Sequence, residues 1–284
     1  MSRDDRFAFF KMQGCGNDFI AIDNRQYGIP VADMADWARK ACARAFGICA
    51  DGIFFLEEPP SGSGLDYRWH FYNADGSRAE MCGNASRCAA KLAHRIGLAP
   101  ARHRFGTDAG PISAELVTEG PDAGQVKVLL TPAQGLELNK TIDVNDQDVT
   151  VHFVNTGVPH TVVLVNDVAT VDVNTVGLTL RYHEAFAPAG TNVNFVQVVS
   201  PTELLLRTYE RGVEAETYAC GTGAAATQLV THRLGLTGPS ARLTTTGGEV
   251  LTVHLDDLGV HLQGNATLVF TGEAYLDALD LRLP

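Results

Sequence analysis

Two cysteines far apart in the chain, Cys82 and Cys220, occur in the same local setting. Each is followed by glycine and then by a run with apolar side chains at helical spacing, which predicts a helix that begins beside the cysteine. A helix N-terminus carries a partial positive charge and N–H groups without helical partners, and both stabilise a thiolate. A thiol placed there has a pKa below its ordinary value of about 8.5 and can exchange protons near neutral pH.

The residues after each cysteine are small or polar, namely Gly83 and Asn84 in the first setting and Gly221 and Thr222 in the second. They allow a carboxylate to approach the N–H groups of the helix. If the two helix starts face one substrate, one thiolate can remove a proton from a carbon while the other thiol protonates its opposite face. That reaction inverts a stereocentre. The alternative is that both cysteines are ordinary helix-capping residues, and the local pattern leaves both interpretations open.

The similarity between the two settings continues along the chain. The stretches AEMCGNASRCAAKLAHRIGL, from Ala79, and TYACGTGAAATQLVTHRLGL, from Thr217, align without a gap, so Cys82 matches Cys220 at an offset of 138. Both stretches end in His-Arg-x-Gly-Leu, where the glycine is suited to ending a helix. An offset near half of the 284 residues indicates an internal duplication. We predict two halves, residues 1–120 and 121–270, with a last strand near 270–284 that could return to the first half.

Most apolar segments are β-branched, aromatic or alternating, as strands are. The clearest helical spacing occurs in three runs, residues 34–45, 84–96 and 222–234. The predicted fold class is therefore α+β, rich in strands and with few helices.

Composition argues against several kinds of partner and site. A formal net charge of −11 disfavours binding to nucleic acid or to an anionic membrane surface. The apolar runs are too short to span a membrane, and the segment MSRDDRFAFF is too acidic for a signal peptide. We therefore expect a cytoplasmic protein whose six cysteines are reduced. The scattered histidines and the absence of Cys-x-x-Cys argue against a metal site.

Five longer motifs, in this order, resemble those of the diaminopimelate epimerase family over nearly the whole chain. They are GCGNDF (14–19), NADGSRAEMCGNASRCAA (73–90), NTGVPH (155–160), NVNFVQV (192–198) and YERGVEAETYACGTGAAA (209–226). The resemblance implies two pseudo-symmetric β-rich halves, each a barrel-like sheet wrapped around a central helix, with the active site in the cleft between them. It also implies a homodimer, no cofactor, and conversion of LL-diaminopimelate, a small amino-acid substrate, to the meso isomer.

The same resemblance implies roles for individual residues. Cys82 and Cys220 correspond to the two acid/base cysteines, the first of which takes the proton from the LL isomer. His160 and Glu210 correspond to a pair that tunes the thiols. The residues that would bind the substrate are Asn17, Asn73, Gly83, Asn84, Asn192, Glu210, Arg211, Gly221 and Thr222.

The sequence also departs from the family pattern and leaves alternatives. Val158 stands where many members carry Asn, and Gly52 stands where some carry a substrate-binding Gln, so individual substrate contacts differ. The nearest alternative is a proline or hydroxyproline racemase, which has a similar fold and also uses two cysteines. The polar set Asn73, Asn192 and Arg211 favours a substrate with two amino-acid ends. A non-catalytic amino-acid-binding protein is the alternative from another class.

Overall fold

The computed structural model describes residues 5–144 and 147–284, so the first four residues of the segment MSRDDRFAFF lie outside the described part. The chain forms two compact units. The first unit runs to Val128 and also contains Asn265–Pro284, and the second unit is Leu129–Gly264. The C-terminal segment thus belongs to the same unit as the N-terminal strands. No helix of the described residues is long and apolar enough to cross a membrane.

Strands make up most of the regular structure. They are β1 (Arg6–Gly14), β2 (Asn17–Asp23), β3 (Gly52–Glu57), β4 (Tyr67–Asn73), β5 (Arg102–Thr107), β6 (Gly110–Leu116), β7 (Val126–Leu129), β8 (Gln134–Asp143), β9 (Asp148–Asn155), β10 (Pro159–Leu164), β11 (Asn192–Ser200), β12 (Glu203–Glu210), β13 (Ala215–Thr217), β14 (Ser240–Thr245), β15 (Val250–Asp256), β16 (Gly259–Gly264) and β17 (Thr267–Tyr275). The α-helices are α1 (Val31–Cys42), α2 (Gly83–Arg95), α3 (Val173–Arg181) and α4 (Gly221–Arg233).

The two units repeat one strand topology. In the first unit the order is β17-β1-β2-β3-β4-β5-β6-β7, with parallel pairing at β2/β3 and β4/β5 and antiparallel pairing elsewhere. In the second unit the order is β8-β9-β10-β11-β12-β14-β15-β16, with parallel pairing at β10/β11 and β12/β14. The short strand β13 adds to the end of β12. The succession of parallel and antiparallel pairs is the same in both, as a duplicated fold requires.

Each sheet curls around one helix. Helix α2 contacts β17, β1, β2, β3 and β6, which lie at separate positions across one sheet, so the sheet must wrap the helix. Helix α4 likewise contacts β9, β10, β11, β14, β15 and β16. Both helices contain many alanines and are buried over most of their surface, since small side chains let the strands pack closely around them. The α+β class and the central helices agree with the sequence analysis.

Two helices differ from the sequence-based expectation. Helix α1 covers Val31–Cys42 rather than 34–45, because Pro30 is an extended N-cap and Ala43 already has extended backbone. Helix α3 was not among the predicted runs, since it is short and partly β-branched. Its start is stabilised by the Asp172 side chain, which accepts a hydrogen bond from the Thr175 N–H at 3.1 Å.

The sheet of the first unit is packed on both faces. The ring of Phe55 meets Trp37 of α1, with 6.4 Å between centroids. The neighbouring residue Phe54 points to the opposite face and contacts the rings of Phe19 and Trp69 at 6.3 and 5.9 Å. This alternation follows from the two-residue period of a strand. The continuous apolar run of β3 therefore reflects burial on two sides.

The burial of Phe54 gives a stability test. Phe54→Ala removes a fully buried ring and should lower the free energy of unfolding by about 3–5 kcal/mol. Phe46→Ala is the matched control, because Phe46 is 87% exposed. Urea unfolding followed by circular dichroism measures both. Equal losses in the two variants would contradict the assignment of Phe54 to the core.

Candidate active site

Cys82 is the N-cap of α2. Its backbone is extended (φ −145°, ψ 120°), and its carbonyl accepts the first helical hydrogen bond from the Ser86 N–H at 2.8 Å. The half-buried Cys82 side chain stands at the positive end of the helix and makes no capping hydrogen bond to it. The sulfur therefore lies where a helix stabilises negative charge most strongly.

Cys220 occupies the equivalent N-cap of α4, with extended backbone at φ −122° and ψ 111°. Its sulfur accepts a hydrogen bond from the Gly223 N–H at 3.4 Å and lies 3.5 Å from the Thr222 hydroxyl oxygen. The side chain is largely buried. The backbone amide that donates to the sulfur favours the thiolate form.

In the first unit the structure brings Asn17 and Asn84 together. The Asn84 amide nitrogen donates to the Asn17 side-chain oxygen at 2.7 Å, and the Asn17 amide donates to Asp51 at 2.9 Å. The parallel pairing of β2 with β3 places Asn17 beside Asp51. Asp51 was not among the predicted site residues, because its proximity to Asn17 depends on strand register and not on sequence distance.

Arg87, also absent from the prediction, is a fully buried cation one turn into α2. Its guanidinium donates to the Asn84 side-chain oxygen at 2.8 Å, to the Gly83 carbonyl at 3.3 Å and to the Cys15 sulfur at 3.0 Å. It therefore holds the polar face of Asn84 and adds positive charge near the helix start. In the sequence, Arg87 is a charged residue among small and apolar neighbours of a helical run, and this contrast is the signal that could have indicated it.

Asn73 lies at the end of β4, opposite Gly52 of β3. Its side chain donates to the Ser77 hydroxyl at 3.0 Å, so in this structure Asn73 shapes a turn. Gly52 has no room for a side chain, since a Cβ there would lie 2.8 Å from the Tyr72 carbonyl oxygen. The departure at position 52 therefore has a steric cause, namely the close approach of two strands.

In the second unit His160 is fully buried beneath the start of α4. Its Nε2 lies 2.9 Å from the Thr222 hydroxyl oxygen, and its Nδ1 lies 3.1 Å from the Asn194 amide nitrogen. Burial, with a smaller contribution from the positive charge of Arg211, lowers the pKa of His160 to about 3. The ring is therefore neutral at physiological pH.

Asn192, Glu210 and Arg211 form a second polar group at adjoining strand ends. The Asn192 side chain donates to the Pro159 carbonyl at 2.8 Å and accepts from the Arg211 N–H at 2.8 Å, so both ends of the amide bind backbone. The Arg211 guanidinium donates to the Ala189 carbonyl at 3.0 Å. Burial raises the pKa of Glu210, although a hydrogen bond from a threonine hydroxyl opposes this shift. Asn192 therefore positions the backbone of Arg211.

Within residues 5–144 and 147–284, no group of three or more His, Cys, Asp or Glu side chains could hold a metal ion. Each unit thus presents a cysteine at a helix N-cap with a set of amide and hydroxyl groups beside it. Those arrangements suit proton transfer and the binding of a carboxylate.

The chain matches the family model described as diaminopimelate epimerase over residues 9–136 and 152–269. It is similar to the diaminopimelate epimerase of Aquifex aeolicus, with 44% identity over 281 residues that cover 96% of this chain and 99% of the relative. It is also similar to that of Hydrogenobaculum sp., with 42% identity and coverage of 92% and 96%. These matches extend over both units.

Among solved structures, the chain resembles a hydroxyproline epimerase from Agrobacterium vitis with bound trans-4-hydroxy-L-proline. The TM-score is 0.70 at 17% identity, covering 98% of this chain and 94% of that one. It also resembles a phenazine biosynthesis protein of Bacillus anthracis, with a TM-score of 0.69 at 14% identity and coverage of 95% and 99%. At such identities these similarities show a shared fold.

The buried neutral His160 gives a pH-dependent stability. Its pKa is lower in the folded chain, about 3, than the ordinary value of 6.5, so only the unfolded chain takes up the proton as the pH falls below about 6.5. Above pH 6.5 the folded chain has its full free energy of unfolding with respect to His160. Below that pH this free energy should fall by up to about 1.4 kcal/mol per pH unit. Urea unfolding between pH 7.5 and 5 should give a shallower pH slope for His160→Gln than for wild type. Identical slopes would contradict this assignment.

Proposed function

The chain belongs to the diaminopimelate epimerase family, and from that premise we propose that it inverts one α-carbon of LL-2,6-diaminopimelate to give the meso isomer. This isomerase reaction supplies a precursor of lysine and of peptidoglycan. The observation that carries the mechanism is the cysteine at the N-cap of the central helix in each unit, Cys82 and Cys220. The proposed reaction needs no cofactor, since both proton carriers are side chains of the chain itself.

In the LL-to-meso direction we assign Cys82 as the base and Cys220 as the acid. The Cys82 thiolate takes the proton from the α-carbon and becomes a thiol, while the electron pair left on the carbon delocalises into the adjacent carboxylate. The Cys220 thiol then donates its proton to the opposite face and becomes a thiolate. One proton is removed and one is returned, so atoms and charge balance. The reverse direction exchanges the two roles.

Stabilisation of the developing negative charge is the main requirement of this reaction, because an α-carbon is a weak acid. The N–H groups after each cysteine, at Gly83, Asn84, Gly221 and Thr222, are suited to hold the reacting carboxylate as charge moves onto it. Donors that are fixed before the reaction need no reorganisation during it. The burial of α2 and α4 supplies that rigidity.

We assign recognition of the substrate's distal amino-acid end to the remaining polar residues. Arg211 has one guanidinium N–H on a backbone carbonyl and further donors in the same plane, which suits a carboxylate. Asn17 and Asn73 offer amide oxygens to an ammonium group. We assign Glu210, together with His160, an auxiliary role in tuning the thiols.

Direct assay tests this function. Purified protein incubated with LL-diaminopimelate in deuterated water, without added cofactor, should give meso product with one deuterium at the inverted carbon. Racemisation of proline with no turnover of diaminopimelate would instead assign the chain to the proline racemase class. Binding of diaminopimelate without turnover would indicate a binding protein.

Cysteine variants test the two-base scheme. Cys82→Ser and Cys220→Ser should each lower kcat by about 10²–10⁴-fold, the usual contribution of a general acid or base, while substrate still binds. Cys49→Ser is the matched control, because Cys49 is exposed and has no assigned role. Unimpaired epimerisation by either of the first two variants would reject the scheme.

We further propose a cytoplasmic homodimer, on the basis of family membership and of thiol chemistry that requires a reducing compartment. Sedimentation equilibrium should give a mass near twice the 30.4 kDa of the chain. A mass of one chain at micromolar concentration would contradict the dimer.

A further inference from the structure

We propose that Asn194 is a positioning residue for Cys220: it fixes the ring of His160 in one tautomer, so that the Thr222 hydroxyl donates its hydrogen bond to the Cys220 sulfur. The inference rests on the proposed acid/base role of Cys220. Asn194 lies in β11 and is fully buried. It therefore acts on the Cys220 sulfur through His160 and Thr222, which lie between Asn194 and that sulfur.

The orientation of the Asn194 amide is fixed by its surroundings. Its nitrogen donates to the Thr161 carbonyl at 3.0 Å, and its oxygen accepts from the Thr208 hydroxyl at 3.0 Å. A flipped amide would set its oxygen against the Thr161 carbonyl, and two acceptors would then face each other. The second N–H of the amide nitrogen consequently faces His160 Nδ1 at 3.1 Å.

This contact decides the tautomer of His160. Since Nδ1 accepts from Asn194, the single proton of the neutral ring is on Nε2. The Nε2–H donates to the Thr222 hydroxyl oxygen at 2.9 Å. The hydroxyl proton of Thr222 is then directed to the Cys220 sulfur at 3.5 Å. Every donor in this series of hydrogen bonds points toward the sulfur. The series therefore favours the thiolate form of Cys220.

Close packing at the helix start supports the same assignment. A Cβ at Gly223 would overlap the Asn194 side-chain oxygen, so the glycine allows α4 to approach Asn194. The N–H of Gly223 is also the backbone donor to the Cys220 sulfur. Asn194 therefore contacts both the hydrogen-bonded chain and the helix turn that presents the sulfur.

The first unit has an apolar set at the corresponding positions. His160 pairs with the first residue of β11, and Phe19 pairs with the first residue of β3. Asn194 pairs with Thr208, and Phe54 pairs with Phe71 at the same place in the repeated topology. The list of correspondences is His160 with Phe19, Asn194 with Phe54, and Thr208 with Phe71. The ring of Phe19 contacts those of Phe54 and Phe71, with centroid distances of 6.3 and 5.9 Å.

The comparison of the two units shows that the fold does not require a polar set at this place. Three aromatic rings fill the space in the first unit, and buried polar groups gain no stability over well-packed apolar ones. Only the second unit has polar residues here, namely His160, Asn194 and Thr208. A function that needs oriented hydrogen-bond donors explains this difference. The nearest group with that need is the thiol at the start of α4.

The test is a double-mutant cycle read out as ionisation of the Cys220 thiol. The rate of alkylation of Cys220 by iodoacetamide, followed by peptide mass spectrometry, gives its pH midpoint without any need for turnover. Asn194→Leu and Thr222→Val should each raise this midpoint by about one pH unit, because each removes the same oriented donor. The double variant should show no larger shift than either single variant.

Thr227→Val is the matched control. It makes the same side-chain change in the same helix, but the buried Thr227 hydroxyl has no hydrogen-bond partner among the described residues. Its midpoint should equal that of wild type. Additive shifts in the double variant, or an unchanged midpoint in Asn194→Leu beside a shifted one in Thr222→Val, would overturn the proposal.

A measurement on the wild-type protein covers the case in which Asn194→Leu does not fold. The ¹⁵N chemical shifts of His160 distinguish the two neutral tautomers, and we expect the proton on Nε2. A proton on Nδ1 would overturn the proposal. Full epimerase activity of Cys220→Ser would reject the proposed acid/base role of Cys220, whereas the tautomer and the pH midpoint are measured without turnover and do not depend on that role.

Discussion

The burial of one helix inside each curved sheet is the constraint on which the rest of the structure depends. Strands contact α2 and α4 from several sides, so neither helix can shift along its axis without breaking contacts across the sheet. A helix held in this way presents its first N–H groups at fixed positions. Cys82 and Cys220 stand at those positions as N-caps. The rigid packing of each helix thus fixes the position of its N-cap thiol and of the N–H donors beside that thiol.

The repeated topology shows how one architecture accommodates two electrostatic settings. Beside α2, a buried guanidinium from Arg87 contacts Asn84, which in turn contacts Asn17. Beside α4, the Thr222 hydroxyl contacts a neutral His160, which in turn contacts Asn194. The first network contains a full positive charge, whereas the His160 and Asn194 side chains of the second network are neutral. Duplicated backbones therefore do not imply duplicated chemistry, since the side chains under each helix start have diverged.

Polar side chains in both units contact backbone groups as well as other side chains. Asn192 binds the backbone on either side of its strand end, and Asn73 closes a turn. Such residues fix the geometry of a site even where another side chain makes the contact to a ligand. Asp51 and Arg87 have the same effect on Asn17 and Asn84. The polar groups of each unit are thus connected networks, in which one substitution changes several orientations.

The sequence by itself determined the features that arise within a few residues. The helix starts at Cys82 and Cys220 followed from the Cys-Gly pairs and the helical spacing after them, and the strand-rich α+β class followed from local alternation. Helix α3 was missed because its short, partly β-branched run resembles a strand, and only its cap and packing make it helical. The partners of Asn17 and His160 were decided by tertiary structure alone. They depend on the register between parallel strands that are distant in the chain, and register is set by packing of the whole sheet around its helix.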